Sequence, residues 1–142
     1  MASVFDVAAY ILECRGPMTH MKLQKLVYYS QAWGLVWDDA PLFEQRIEAW
    51  ANGPVCPELY YAHQGEYMVG AERRGSSKAL SRDQIETIDA VLDSYGDKPA
   101  HWLSDLTHRE RPWLDARKGL ESGVRSNRVI TPAAMAEYYS EL

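Results

Sequence analysis

The chain has 142 residues and a formal net charge of −5, and 46% of its residues are hydrophobic and 25% charged. This balance is typical of a globular protein, and the length predicts one domain with its own core. The acidic charge argues against a nucleic-acid footprint, which needs a basic face, and no apolar run approaches the ~20 residues of a membrane span. Since we find neither a signal-peptide pattern nor a disulfide framework, we expect a cytoplasmic location.

Cap residues and apolar residues at helical spacing predict a mainly helical chain. Ser3 and Thr19 are suitable N-caps, and Ser81 with Gln84 forms a capping-box pattern. The predicted helices cover residues 3–12, 19–36, 57–63 and 81–95, and further helices begin at residues 99, 112 and 131.

The second predicted helix differs from the others because it is apolar on most of its faces. Such a helix is usually central and buried. Its basic residues, Lys22 and Lys25, lie near its start, and we expect both to reach solvent or a carboxylate.

The β structure predicted from the sequence is small. Residues 42–50 alternate loosely between apolar and charged side chains, which predicts a half-exposed strand. Asn52, Gly53 and Pro54 then predict a turn. Residues 66–80 favour a small hairpin followed by an exposed loop. The predicted fold class is therefore mainly α (α+β), a helical domain around a buried central helix with a small antiparallel β element.

No motif in the sequence predicts catalysis or a cofactor. Cys56 and His63, like His101 and His108, are seven residues apart, but neither pair belongs to a C-x-x-C or H-E-x-x-H motif. A G-x-S-x-G nucleophile elbow is also missing. Pro54 removes an N–H group that a phosphate at the predicted turn would need. We therefore expect a protein that is not an enzyme and that needs no metal and no cofactor.

The aromatic residues leave two interpretations open. The chain has five Trp and nine Tyr, which fill cores but also dominate hot spots at protein interfaces. Either they pack internally, or some of them belong to a partner-binding surface around the predicted turn. The residues predicted for that surface are Glu44, Arg46, Glu48, Trp50, Asn52, Pro54, Tyr60 and Tyr61.

Two neighbouring motifs resemble a known family. Residues 21–33 read MKLQKLVYYSQAW, and residues 47–55 read IEAWANGPV. This pair resembles the Panacea domain, the SocA-like or GepA-like antitoxin family of bacteria, prophages and phages. Shorter motifs after residue 105 are also similar, so the resemblance covers nearly the whole chain. The family often has an aromatic or basic residue before the glycine of the second motif, where this chain has Asn52.

The resemblance implies a single antitoxin domain over residues 1–142. Its expected partner is a cognate toxin encoded nearby, neutralised by direct stoichiometric binding, and the family brings no catalytic residues. Two alternatives stay open: an adaptor that delivers the toxin to a protease, and a DNA-binding transcriptional regulator. The second is disfavoured because a recognition helix over residues 19–36 would have only two basic residues.

Overall fold

The computed structural model describes residues 2–142, which form seven helices and five short strands. A 3₁₀ turn, Ser77–Ala79, precedes the fourth helix. The helices are α1 Val4–Arg15, α2 His20–Trp37, α3 Pro57–Ala62, α4 Arg82–Tyr95, α5 Ala100–Thr107, α6 Arg111–Ala116 and α7 Pro132–Tyr139. The strands are β1 Met18–Thr19, β2 Ile47–Trp50, β3 Gly53–Val55, β4 Met68–Val69 and β5 Val129–Ile130. The predicted mainly α (α+β) fold class is confirmed.

Side-chain caps determine where the main helices begin. The Ser3 side chain accepts from the Asp6 N–H at 3.3 Å, and the Asp6 carboxylate accepts from the Ser3 N–H at 2.8 Å. Ser81 and Gln84 form the same reciprocal capping box at the start of α4. These contacts satisfy N–H groups that have no partner within the helix. The predicted helix starts at these residues are therefore confirmed.

Helix α2 is the centre of the fold. It packs against α1, α4, α5 and α7, and Leu23, Leu26, Val27 and Ala32 on it are buried. Gln31, on the same helix, fixes the chain that leads to β2: its amide donates to the Phe43 carbonyl at 2.8 Å and accepts from the Leu42 N–H at 2.8 Å. The predicted buried central helix is confirmed, and it also positions the β structure.

A three-stranded antiparallel sheet has the order β3-β2-β5, with Trp50 opposite Gly53 and Ile47 opposite Ile130. The predicted half-exposed strand over residues 42–50 is wrong in two respects. Only its last four residues are a strand, and Glu48 is buried. The predicted turn is also shifted, because Gly53 and Pro54 belong to β3. A proline is tolerated there since β3 is an edge strand.

The hairpin predicted within residues 66–80 does not form. Strand β4 pairs instead with β1, with Met18 opposite Val69 and Thr19 opposite Met68. The alternating pattern correctly indicated extended chain, but its pairing partner lies about 50 residues earlier in the chain. A local pattern contains no information about a partner so far away.

Candidate functional site

A cleft of about 540 Å³ opens where the first turns of α2 meet the β2–β3 hairpin, α3 and the loop before β5. This volume lies within the range of small-ligand pockets and would also admit side chains of another protein. We call it the α2–hairpin cleft. Its lining residues are His20, Met21, Gln24, Lys25, Glu48, Trp50, Ala51, Asn52, Val55, Tyr60, Tyr61, Arg125, Ser126 and Asn127.

One wall of the α2–hairpin cleft is a cluster of aromatic rings. The Trp50 ring lies 4.9 Å from Tyr60 and 6.4 Å from Tyr61, and the two tyrosine rings are 5.4 Å apart. His20 stacks on Tyr60 at 5.3 Å. Trp50 and Tyr60 are half-buried, whereas Tyr61 is 60% exposed. Tyr61 is thus the exposed ring of the cluster, and the other three rings pack behind it.

Glu48 fixes the orientation of this wall. Its side chain is buried, and its two carboxylate oxygens accept from Arg46 Nε at 2.7 Å and from Trp50 Nε1 at 2.9 Å. Hydrogen bonds to a buried carboxylate are charge-assisted and strong. The buried acid of the cleft is therefore satisfied by residues two positions before and after it, and its hydrogen bond orients the Trp50 ring.

Gln24 joins α2 to the chain that follows the hairpin. Its side-chain oxygen accepts from the Cys56 N–H at 2.9 Å, and its amide lies 3.4 Å from the Cys56 carbonyl. The same amide lies 3.2 Å from His20 Nε2. Burial, and then the neighbouring His63, lowers the pKa of His20, which keeps Nε2 available as an acceptor. The floor of the cleft is thus fixed by backbone contacts.

Lys25 lies in the same cleft and contradicts the prediction made for it. Its side chain is buried rather than exposed, and the acceptor that its ammonium reaches is the Pro54 carbonyl at 3.4 Å, not a carboxylate. Strand β3 covers this lysine: a Cβ at Gly53, which has a φ of +124°, would lie 2.5 Å from Lys25 Cε. Burial lowers the pKa of Lys25 to about 8.

The structure brings together most of the residues predicted for a partner-binding surface. Those that line the α2–hairpin cleft are Glu48, Trp50, Asn52, Tyr60 and Tyr61. The remaining three lie elsewhere: Arg46 is exposed and pairs with Glu48, Glu44 is exposed outside the lining, and Pro54 is buried in β3. Their role in binding stays a prediction.

Sequence reasoning missed the contribution of α2 and of residues 125–127 to this cleft. His20 and Gln24 are polar residues one helical turn apart on a helix that is apolar on most of its faces. That spacing places both on one face and was the available signal. Nothing in residues 125–127 indicates that the loop returns to the hairpin.

A second buried polar group lies outside the lining of the cleft. Glu110 Oε1 accepts from the hydroxyl groups of Tyr29 and Tyr139, each at 2.7 Å, and the Tyr139 oxygen lies 3.0 Å from that of Tyr28. Burial raises the pKa of Glu110, partly offset by these hydrogen bonds. The group ties α2 to α7 and to the chain before α6, and we assign it to stability.

The family described as Antitoxin SocA-like, Panacea domain, matches residues 23–114. This is more than half of the chain, and the match includes most of α2, the hairpin and most residues of the cleft. The chain belongs to the SocA-like Panacea antitoxin family.

A relative within that family is the Antitoxin SocA of Caulobacter vibrioides (strain NA1000 / CB15N). It is 27% identical over 88 residues, which cover 60% of this chain and 43% of that protein. The chain thus spans less than half the length of this curated relative. No solved structure matches the chain. Within residues 2–142, no helix combines the length and the apolar character that crossing a membrane requires.

Proposed function

We propose that this chain is the antitoxin of a toxin–antitoxin pair and that it neutralises a cognate toxin by direct stoichiometric binding, without catalysing a reaction. Residues 1–142 act as one antitoxin domain, and the α2–hairpin cleft is the binding surface. Family membership supports the antitoxin role. The observation that carries the choice of surface is the aromatic cluster of Trp50, Tyr60 and Tyr61, which is rigidly supported and ends in an exposed ring.

The apolar surface extends beyond the cleft. Met21 is 40% exposed and, like Tyr61, lines the cleft. Tyr67 and Met68, which are 79% and 49% exposed, lie next to the start of α2, because the His20 N–H donates to the Tyr67 carbonyl at 3.0 Å. Exposed apolar side chains in one region, with tyrosine and tryptophan among them, are typical of protein interfaces.

The net charge of −5 supports attraction to a basic partner. A toxin that acts on RNA or DNA would have a basic active surface, and opposite charges accelerate association. We expect the association rate constant with the toxin to fall as salt concentration rises. A rate constant independent of salt would contradict this electrostatic contribution and leave the apolar contribution intact.

The experiment that tests the function uses the neighbouring gene whose product is toxic when expressed alone. Co-expression of the wild-type chain should restore growth, and purified toxin should bind it with 1:1 stoichiometry. Tyr61→Ala should weaken binding by about 30-fold or more, the effect of a hot spot worth ~2 kcal/mol. Since Tyr61 is largely exposed, the thermal unfolding midpoint should change little.

Trp102→Ala is the control, because Trp102 is also an exposed aromatic residue but lies on α5 and does not line the cleft. We expect it to retain binding within about threefold, a change of less than ~0.7 kcal/mol. Equal losses in both variants would refute the cleft as the binding surface. A wild-type chain that neither binds nor neutralises the toxin would refute the proposed function itself.

A specific feature also favours the adaptor alternative. Trp33 and Trp37 stack at 4.9 Å near the last turn of α2, and Trp37 is 50% exposed. Along the helix axis Trp37 lies roughly 18 Å from Lys25, the last residue of α2 that lines the cleft, so a second protein could bind there together with the toxin. If the chain delivers the toxin to a protease, the toxin half-life in cells should shorten with the wild-type chain and not with Trp37→Ala.

A further inference from the structure

Lys25 is a buried cation without an anionic partner among residues 2–142. It is 1% exposed, and the hydrogen bond that its Nζ donates to the Pro54 carbonyl is long, at 3.4 Å. An ammonium group has three N–H donors, so two of them have no acceptor within the described chain. Buried lysine is rare unless it is paired, because burial removes the hydration of its charge.

The other charged groups nearby are compensated, which makes Lys25 different. Both oxygens of Glu48, in the same cleft, accept hydrogen bonds. Arg117 is also buried, but it donates to the carbonyls of Ala49 at 3.0 Å and Val124 at 2.6 Å. In the α2–hairpin cleft, the Glu48 carboxylate thus has its hydrogen-bond donors, whereas the Lys25 ammonium lacks acceptors. Arg125 adds an exposed positive charge to the lining.

We propose that Lys25 binds one carboxylate of the partner protein, an acidic side chain or C-terminus that enters the α2–hairpin cleft beside Trp50 and Tyr61. This inference rests on the proposed function and adds the chemistry of the contact. One ammonium matches one carboxylate, whereas a phosphate dianion would need a second buried donor group. The occupant is a protein segment because the cleft continues into the exposed apolar side chains of Met21 and Tyr61.

The surrounding structure leaves room for a long, unbranched side chain at this position. Gly53 has no Cβ, and a Cβ there would occupy the space of the Lys25 stem. The ammonium has already lost its hydration in the free protein, so the incoming carboxylate does not have to remove it. A site prepared in this way binds more tightly than a flexible surface lysine would.

The test compares Lys25→Met with Lys22→Met in binding to the toxin encoded by the neighbouring gene. Methionine keeps the unbranched shape of the lysine stem and removes the charge. Lys22 lies on the same helix, is half-buried and does not line the cleft. We expect the dissociation constant to rise at least 30-fold for Lys25→Met and less than threefold for Lys22→Met, with both variants folded by circular dichroism.

A double-mutant cycle identifies the occupant. Each acidic residue of the toxin is replaced by its amide, and a C-terminal amide replaces the terminal carboxylate. We expect one replacement to weaken binding to the wild-type chain and to have no further effect on Lys25→Met.

Wild-type affinity retained by Lys25→Met would overturn the inference and leave the proposed function standing. Loss of affinity without coupling to any toxin carboxylate would assign the site to another anion and overturn it as well. A change in the chain's own oligomeric state would assign the site to a second copy, with the same consequence. If the wild-type chain does not bind the toxin at all, the proposed function fails and the inference fails with it.

Discussion

Replacing Lys25 by methionine should make the free protein more stable. Burial lowers the pKa of this lysine from its ordinary value of 10.5 to about 8, which corresponds to roughly 3 kcal/mol against the charged form. Methionine fills similar space without that penalty. It also removes the hydrogen bond to the Pro54 carbonyl, which is long and is worth about 1 kcal/mol. The net expectation at pH 7 is a gain of about 2 kcal/mol in the free energy of unfolding.

The pH dependence gives this prediction a second signature. The unfolded lysine keeps its proton up to about pH 10.5, whereas the folded one releases it near pH 8. Between these values the unfolded state binds more protons, so the stability of the wild type rises with pH. Above about pH 10 the buried tyrosines oppose this rise, because burial raises their pKa in the folded state. We therefore expect the advantage of Lys25→Met to shrink by more than half between pH 7 and pH 9.5.

The assay is urea unfolding followed by circular dichroism at pH 7.0, 8.5 and 9.5, with Lys22→Met as the control. A gain of about 2 kcal/mol also corresponds to a thermal midpoint about 5 °C higher in a protein of this size. If Lys25→Met is less stable than the wild type at pH 7, or if its advantage does not change with pH, Lys25 is a structural residue. The reasoning about an uncompensated charge would then be refuted.

Two further predictions concern Gly53, which lies against Lys25, and the buried carboxylate of Glu110. Gly53→Ala should lower the free energy of unfolding by at least ~2 kcal/mol, since its φ of +124° and the nearby Lys25 stem both exclude a Cβ. The loss of stability should be smaller when Lys25 is also replaced by alanine. Equal losses in the two backgrounds would refute the steric contact. In the wild type, stability should decrease as pH rises above 4.5, because folded Glu110 retains a proton that the unfolded chain has lost. Glu110→Gln should keep the stability at pH 7 and make this decrease with pH smaller. Glu110→Ala should cost about 3 kcal/mol in urea unfolding, since two buried tyrosine hydroxyl groups lose their acceptor, and an equal effect of both substitutions would refute the role of those hydrogen bonds.

Helices could be predicted from the sequence because their signals are local. The N-caps at Ser3, Thr19 and Ser81 and the apolar spacing after them are visible within one or two turns, and the structure confirms them. The strands were harder because their partners are distant. Val129–Ile130 pairs with β2 from about 80 residues further along the chain, and two β-branched residues are too short a signal to predict a strand or its partner.

The cleft could be predicted only in part for the same reason. The residues of the hairpin and of α3 are close in sequence, so Trp50, Tyr60 and Tyr61 could be placed together before the structure was known. Lys25 was assigned to the surface on the general behaviour of lysine. That rule fails here because β3 crosses over the helix at this residue, and only the tertiary structure shows that crossing.

The two motifs that carry the family resemblance form one structural unit. Gln24 in the first motif hydrogen-bonds the Cys56 backbone immediately after the second, and Lys25 lies beneath Gly53 and Pro54. Packing explains most of this pairing, because removing either element would leave backbone groups of the other unsatisfied. Packing does not explain Lys25, since we expect an apolar side chain of the same length to fill the space at a lower free energy. Lys25 is therefore the residue at which we expect function and stability to separate, and a variant that is more stable but binds less tightly would demonstrate that separation.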